Sequence, residues 1–352
     1  MERPRERAIE RVREVLERAG FFVSDAHAIR PTSFDLVARR DALLLIVKVL
    51  KNIDALDPQE AARLRELGAL FPAVPIVIGK TSGAAPLEPG VVYNRYGVPI
   101  LVEESLADYV QKGLPPFLFS SPGGVFARID GDRLRAIREA RNLSLGALAS
   151  IAGVSRRTIQ LYEDGAGAEV QVVERLEQYI GEPIALAIDL FQVGMSGRSP
   201  AVKPTSAGPN EEGPKEASPE HPSKGASATP PGNRAPAKTG DPVRDGVFRQ
   251  LDGMGWQVVV TVRCPFDAFT SGPTRGEDEV LLTSVGTLRT AQHRAEILQQ
   301  LARVIEGHAM FVVPDSSGGS SVGGLPLVTV RELSRHRDRD ELVDLINERE
   351  SQ

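Results

Sequence analysis

Two α/β units on either side of an all-helical one, with a disordered linker before the second, is the architecture this sequence predicts. Three observations predict it. Near both ends of the chain, short apolar runs of strand character alternate with amphipathic helical stretches, the order of an α/β fold. Between them, residues 132–190 carry helix caps and helical apolar spacing without strand-like alternation. From about Met195 to Asp241 the chain is Pro, Gly, Ser and Ala with mixed charge and almost no branched or aromatic residue. Such a segment cannot bury enough apolar area to offset backbone ordering.

The first α/β unit, 1–113, opens with a helix whose apolar positions are Ile9, Val12, Leu16 and Ala19, ended by Gly20. The runs "FFV", "FDLVA", "LLLIVKVL", "VPIVIG" and "VPILV" read as strands, and "PQEAARLRELG" and "ESLADYVQ" as helices. Residues 114–131 connect onward as a hairpin around Pro122-Gly123-Gly124. The helical unit follows at 132–194, the linker at 195–241 and the second α/β unit at 242–352.

That last unit repeats the first. "LERAGFFV" aligns with "LDGMGWQVV", and "SFDLVA" with "PFDAFT", which sets Asp35 against Asp267. "LLLIVKVL" aligns with "VLLTSVGTL", and "FPAVPIVIGKTSG" with "EGHAMFVVPDSSG". Both copies end in a Pro-led strand and an acidic helix, "VPILVEESLADYV" and "LPLVTVRELSRHRDRDELVDLI". Matches kept in one order along the chain point to an internal duplication.

Composition narrows the function. The chain has 352 residues, a formal net charge of -5 and a pI near 5.7, so it is not coated in basic surface. A local basic patch can still serve nucleic acid. The single Cys264 excludes an intramolecular disulfide and a thiolate metal cluster, and the five His are too scattered for a zinc site. No apolar run approaches the ~20 residues of a membrane span. The opening "MERPRERAIERVREVL" lacks the apolar core of a signal peptide. These features predict a cytoplasmic protein without cofactor or metal and without a membrane partner.

The helical unit is the most informative stretch. Asp132 is expected to cap a helix with Leu134, Ile137 and Ala140 inward, Asn142 to end it in a left-handed turn, and Leu143 to pack back. Ser144 caps a short helix holding Leu148, Ala149 and Ala152. Gly153 makes a tight turn, Val154 is buried in it, and Ser155 caps a further helix that buries Ile159 and Tyr162 before Gly165. Two short helices joined by a Gly-containing turn have helix-turn-helix geometry.

With Leu134 to Arg138, Leu143-Ser144, Leu148-Ala149, Gly153-Val154-Ser155, Thr158-Ile159 and Tyr162-Glu163 in this order, the unit resembles the Cro/repressor-type (XRE) helix-turn-helix domain. Leu145, Ile151 and Leu161 depart from its usual polar positions. The resemblance implies that the helix beginning at Ser155 enters the major groove of duplex DNA. Arg156, Arg157 and Gln160 would then meet base edges or phosphates, and Ser155 and Thr158 would bond phosphate. Arg133 and Arg135, with Arg138 and Arg141, would flank the duplex or form a solvated helix face.

The first unit resembles the restriction-endonuclease-like fold, including archaeal Holliday-junction resolvases. In that family a helix Glu, a strand Asp and an E-x-K pair hold a divalent metal beside the scissile phosphate. Glu10, Asp35 and Lys48 match these positions, but Ile46 stands where the E-x-K carboxylate belongs, and "LLTSVG" of the second copy has neither Glu nor Lys. An inactive site is expected. "VIGKTSG" is not a phosphate-binding loop, because Val74 replaces its upstream Gly and Pro86 interrupts the helix that should follow.

From "SFDLVARR", "LLIVKVLKNIDAL", "VVYNRYGVPILV", "GGVFARIDG" and "SLGALASIAGVSRRTIQLYEDG", the whole chain resembles an archaeal family of helix-turn-helix transcriptional regulators with a nuclease-like N-terminal unit. The resemblance implies a sequence-specific DNA-binding regulator, not an enzyme, with double-stranded DNA as partner. A homodimer is expected, and any small-molecule effector is left open. The rival readings are a structure-specific endonuclease and a protein-assembly adaptor.

Overall fold

A computed structural model describes residues 4–25, 32–192, 238–272, 280–314 and 319–350. Of the expected linker, 195–241, residues 195–237 lie outside the described residues. The N-terminal segment runs α1 (Pro4–Arg18), β1 (Phe22–Asp25), β2 (Leu36–Arg40), β3 (Leu43–Asn52), α2 (Pro58–Leu70), β4 (Val74–Ser82), β5 (Ala85–Pro86), β6 (Val91–Arg95), β7 (Val98–Leu101) and α3 (Glu103–Lys112). α1 buries Ile9, Val12, Val15 and Leu16, the face its apolar spacing predicts, and Gly20 follows it with a φ of 82°. α2 starts where Asp57 accepts from the Glu60 amide at 2.7 Å and Pro58 supplies a preset φ. Gly79, Lys80 and Thr81 lie within β4, in extended chain and not at a helix N-terminus.

A hairpin follows, β8 (Leu118–Ser121) and β9 (Gly124–Ile129), with Gly123 at φ 103° and Gly124 at φ 145° in its turn. Next come α4 (Gly131–Ala140), α5 (Leu145–Ala152), α6 (Arg156–Glu163), β10 (Gly167–Glu169), α7 (Val170–Ile180) and β11 (Ala185–Leu186). The stretch expected to be wholly helical therefore contains two short strands. Both pair antiparallel with β9, so the hairpin is part of the helical unit's own framework. Three residues are too few to show period-two alternation, which hid β10 in the sequence. The cap of α4 is Asp130, accepting from the Arg133 amide at 3.0 Å, and not Asp132. Gly131 begins the helix because its neighbour is the backbone of α6: a Cβ there would sit 2.3 Å from the Glu163 carbonyl oxygen.

The C-terminal segment runs α8 (Pro242–Gly253), β12 (Gln257–Val260), β13 (Ala268–Ser271), β14 (Val280–Val285), α9 (Leu288–Ile305), β15 (His308–Val313), β16 (Ser321–Val322), β17 (Leu325–Thr329), α10 (Val330–Leu333) and α11 (Arg339–Glu350). The closing acidic stretch is thus two helices. Thr329 and Glu332 form a capping box on the first, and Asp338 accepts from the Glu341 amide at 3.0 Å at the start of the second.

The two α/β segments share one topology. Each has a helix, a three-stranded antiparallel meander, a helix, and then a strand parallel to the second strand of a hairpin: β4 with β7 of β6–β7, and β15 with β17 of β16–β17. Asp35 donates its amide to the Val47 carbonyl at 2.8 Å, and Asp267 to that of Thr283 at 2.9 Å. That shared bond fixes the register of the repeat: Leu282 matches Ile46, and Ser284 matches Lys48.

The chain divides into two compact units that do not follow the repeat boundaries. One comprises 1–19 and 48–223, the other 20–47 and 224–352. In the first, β4, β7, β6, β8, β9 and β10 are successive neighbours, and α2 and α3 cover β4. In the second, the order is β12-β13-β14-β15-β17-β16, around a core that includes Phe248, Leu251, Trp256, Met310 and Ile346. The β1–β2 hairpin belongs to this second unit. It packs on α9, with Arg39 ion-paired to Glu306 and the Ser33 amide donating to the Arg263 carbonyl at 2.7 Å.

Candidate nucleic-acid interface

Helices α4 to α7 close around one apolar cluster that includes Leu134, Leu148, Ala152, Ile159, Tyr162, Val173 and Leu176. Ser144 caps α5 by accepting from the Ala147 amide at 3.1 Å. Gly153 then takes a left-handed φ of 71°, and the Val154 amide returns to the Ala149 carbonyl at 3.0 Å. This turn has little room for a side chain, since a Cβ on Gly153 would lie 2.8 Å from Nη1 of Arg175. Asn142 has a φ of 52°, the left-handed ending expected of it, and Val154 is half-buried against the cluster.

α6 is divided by burial. Thr158, Ile159, Tyr162 and Glu163 face inward, while Ser155, Arg156, Arg157 and Gln160 are exposed. Ser155 caps the helix, its Oγ accepting from the Thr158 amide at 3.1 Å and lying 2.8 Å from the Thr158 hydroxyl. Thr158, read from the sequence as a phosphate contact, is buried, and its hydroxyl completes the cap. Burial, with Glu169 nearby, pushes the Tyr162 phenol up to about 12, so it stays neutral in the core.

The sequence reading missed the group that fixes α4 on α6. Glu163 is buried, and its carboxylate accepts from Arg138 Nε at 2.6 Å, Arg138 Nη2 at 3.1 Å and Arg135 Nε at 3.3 Å. These bonds hold the Arg138 guanidinium above its usual range. A carboxylate directly after an inward Tyr was the available signal, but its partners lie a whole helix earlier.

The basic residues thus fall into two sets. Arg133 pairs with Glu182 at 3.1 Å, Arg135 with Glu163 and Asp164, and Arg141 donates to the Ile180 carbonyl at 2.5 Å. Arg156 and Arg157 form no ion pair among the described residues. The Arg156 guanidinium lies across Gly146 of α5, where a Cβ would be 2.9 Å from its Nε. A side chain at residue 146 would displace it.

The residues matched to a nuclease site do not suit a divalent cation. Ile46 is buried in β3 opposite Val37, where the resemblance calls for a carboxylate. Lys48 is buried and committed to Glu60 Oε1 at 2.6 Å. Glu10 is exposed and lies 3.5 Å from Arg13, and Asp35 is buried at the head of β2. In the second copy, Asp267 accepts from the Val285 amide at 2.8 Å and faces Arg244 at 3.4 Å and Arg294 at 3.8 Å. Two guanidiniums there compete with any metal for that carboxylate. No group of three His, Cys, Asp or Glu among the described residues is placed to hold an ion, and no helix among them is long and apolar enough to cross a membrane.

Comparison with known proteins agrees with this division. Residues 5–116 match the PD-(D/E)XK superfamily domain, and residues 131–187 match a helix-turn-helix domain. No solved structure matches the chain. A protein of Halorubrum lacusprofundi, provisionally named as an HTH-type transcriptional regulatory protein, is 34% identical over 97% of this chain and 96% of its own length. One from Natronomonas pharaonis, with the same provisional description, is 36% identical over 95% of both chains, and one from Methanocella arvoryzae is 34% identical over 98% of this chain and 97% of its own. None of these three is named as a nuclease. With a helix-turn-helix unit beside a nuclease-like fold lacking its metal-binding carboxylate, the chain belongs to this archaeal family of HTH-type, DNA-binding transcriptional regulators.

Proposed function

We propose that the chain is a sequence-specific regulator of the XRE type that places the N-terminal end of α6 in the major groove of duplex DNA. The observation that carries this reading is the exposure of Ser155, Arg156, Arg157 and Gln160 on one end of α6, with no acidic residue neutralising either Arg among the described residues. Arg157 and Gln160 reach base edges. Arg156, steered across Gly146, meets the adjoining phosphate or base, and Ser155 donates its hydroxyl to phosphate beside the helix N-terminus. Arg133 and Arg135 sit at the flank and reach the backbone only by leaving their acidic partners.

The protein acts as a homodimer on this reading, with half-sites about 34 Å or one helical turn apart. Binding is strongly salt-dependent in spite of the net charge of -5, because the field at the docking end decides it. Fluorescence anisotropy on a chromosomally mapped site tests the assignment. Arg157→Ala should lower affinity for that site and narrow its margin over random DNA at fixed salt. Unchanged binding by both Arg156→Ala and Arg157→Ala would exclude α6 as the reading helix.

A further inference from the structure

The N-terminal nuclease-like domain carries a second feature that its absent metal site leaves unexplained. A groove of about 930 Å³ opens between α1 and the C-terminal ends of β3 and β4. Its floor is apolar and buried: Val12 from α1, Val49 from β3, Ile78 from β4, and Leu87 and Val102 beyond them. Residues two apart on a strand face the same side, so Lys51 continues the face of Val49, and Lys80 that of Ile78. β3 and β4 are neighbouring strands, and both lysines are exposed and line the groove. Neither makes an ion pair among the described residues.

The acidic residues of the rim do not cancel this charge. Glu103 is held by Arg11 at 2.9 Å, which leaves Glu104 against Lys51 and Lys80. The turn from β4 into β5, which leads to the lining residues Pro86 and Leu87, is held in place. The Asp54 carboxylate accepts from the Gly83 amide at 2.6 Å and the Ser82 hydroxyl at 3.2 Å, and pairs with Arg95 at 2.7 Å. Arg5 Nε donates to the Val49 carbonyl at 3.3 Å and ties α1 to the sheet at the same end.

We propose that this groove binds a small soluble amphipathic anion, an apolar body on the floor with one carboxylate, sulfonate or phosphate head between Lys51 and Lys80. The volume is that of a pocket for a drug-sized molecule. A nucleic-acid backbone would present charge along a convex strand and leave the apolar floor uncovered, so a compact amphiphile fits better. The inference is independent of the DNA contact proposed for α6.

The test uses the full chain, 8-anilinonaphthalene-1-sulfonate as a fluorescent probe and decanoate as competitor. The dye should bind saturably at one site per chain, and decanoate should displace it. Decanol, which keeps the tail without the charge, and inorganic phosphate, which keeps the charge without the tail, should each displace it roughly tenfold less well. A K51Q/K80Q double variant with an unchanged melting temperature should lose decanoate affinity by roughly tenfold or more. Ala8→Phe, at the α1 edge of the groove, should block the dye by filling space. Non-saturable dye uptake, displacement by phosphate equal to that by decanoate, or undiminished affinity in K51Q/K80Q would each overturn the proposal. So would a loss of DNA affinity in K51Q/K80Q with dye binding intact, which would assign the lysines to phosphodiesters.

Discussion

α4 and α6 both carry arginines along an exposed side, yet they put them to different uses. Those of α4 end on Glu182, Glu163 and Asp164, and Arg141 at its C-cap on the Ile180 carbonyl, all from later in the same domain. Those of α6 meet no such partner among the described residues. Counting cations would rank α4 as the more basic surface. Following each cation to its partner reverses the order, because a guanidinium already bonded to a carboxylate must give up that pair before it can serve a phosphate. α4 holds the unit together, and on the proposed reading α6 is left to meet DNA.

The change that should test this contrast most severely is Glu163→Ala. It leaves the Arg138 guanidinium, 16% exposed, without its main counter-charge, and breaking such a pair costs about 3–5 kcal/mol. Denaturant unfolding followed by circular dichroism should show the helix-turn-helix unit losing that much. A loss under about 1 kcal/mol, the worth of an ordinary surface pair, would mean that packing alone holds α4 on α6. Gly131→Ala acts at the same contact and should cost about 1–3 kcal/mol, through overpacking and not through charge.

Arg157→Ala comes next and should act on DNA, not on stability. An Arg on a guanine edge contributes about 1–3 kcal/mol of discrimination. Binding isotherms at several salt concentrations, with melting temperature as the folding control, separate lost base contact from a reduced salt slope. Arg133→Ala should be milder in both respects. Its pair with Glu182 is surface-exposed, so unfolding should shift by at most about 1 kcal/mol, and DNA affinity by less than for Arg157→Ala. If Arg133→Ala weakens DNA binding more than Arg157→Ala does, the assignment of the two helices is reversed.

A small pH effect should come from outside this pair. Burial raises the Glu332 carboxyl, but hydrogen bonds from Arg349 and Thr329 outweigh it and hold the group at about 2, below its ordinary 4.5. A carboxyl lowered on folding stabilises above its unfolded value and loses that contribution as pH falls. Between pH about 4.5 and about 2, the second compact unit should lose part of its stability, and Glu332→Gln should flatten that portion of the melting curve against pH. An unchanged slope in the variant would show that Glu332 has no part in the acid transition.

Much of the helix-turn-helix was legible in the sequence because its determinants are local. A Ser hydroxyl three residues before an amide, a Gly or Asn that tolerates positive φ, and apolar residues at helical spacing act within one or two turns of chain. Ser144, Asn142, Gly153 and Ser155 accordingly sit in the structure where their chemistry suggests. The missing metal carboxylate was legible for the same reason, since Ile46 cannot ligate whatever surrounds it. The shared topology of the two α/β segments also follows from patterns in the chain, though the pairing of β2 with β3, and of β13 with β14, was needed to set Ser284 against Lys48.

Other features depended on residues far apart in sequence. The fate of Arg133, Arg135 and Arg138 rests on acidic groups 25 to 49 residues away, and that of Lys48 on Glu60 across a helix start. Nothing in a helix's own spacing says whether such a cation is solvated or paired. β10 and β11 are strands only because β9 offers unpaired backbone groups beside them. The groove beneath α1 exists because β3, β4 and a helix from the start of the chain converge. Caps, turns and inward faces are decided by bonds the chain makes to its near neighbours, so the sequence determined them. Which charges are neutralised, and where a cavity remains, is decided by distances through space, and only the tertiary structure sets those.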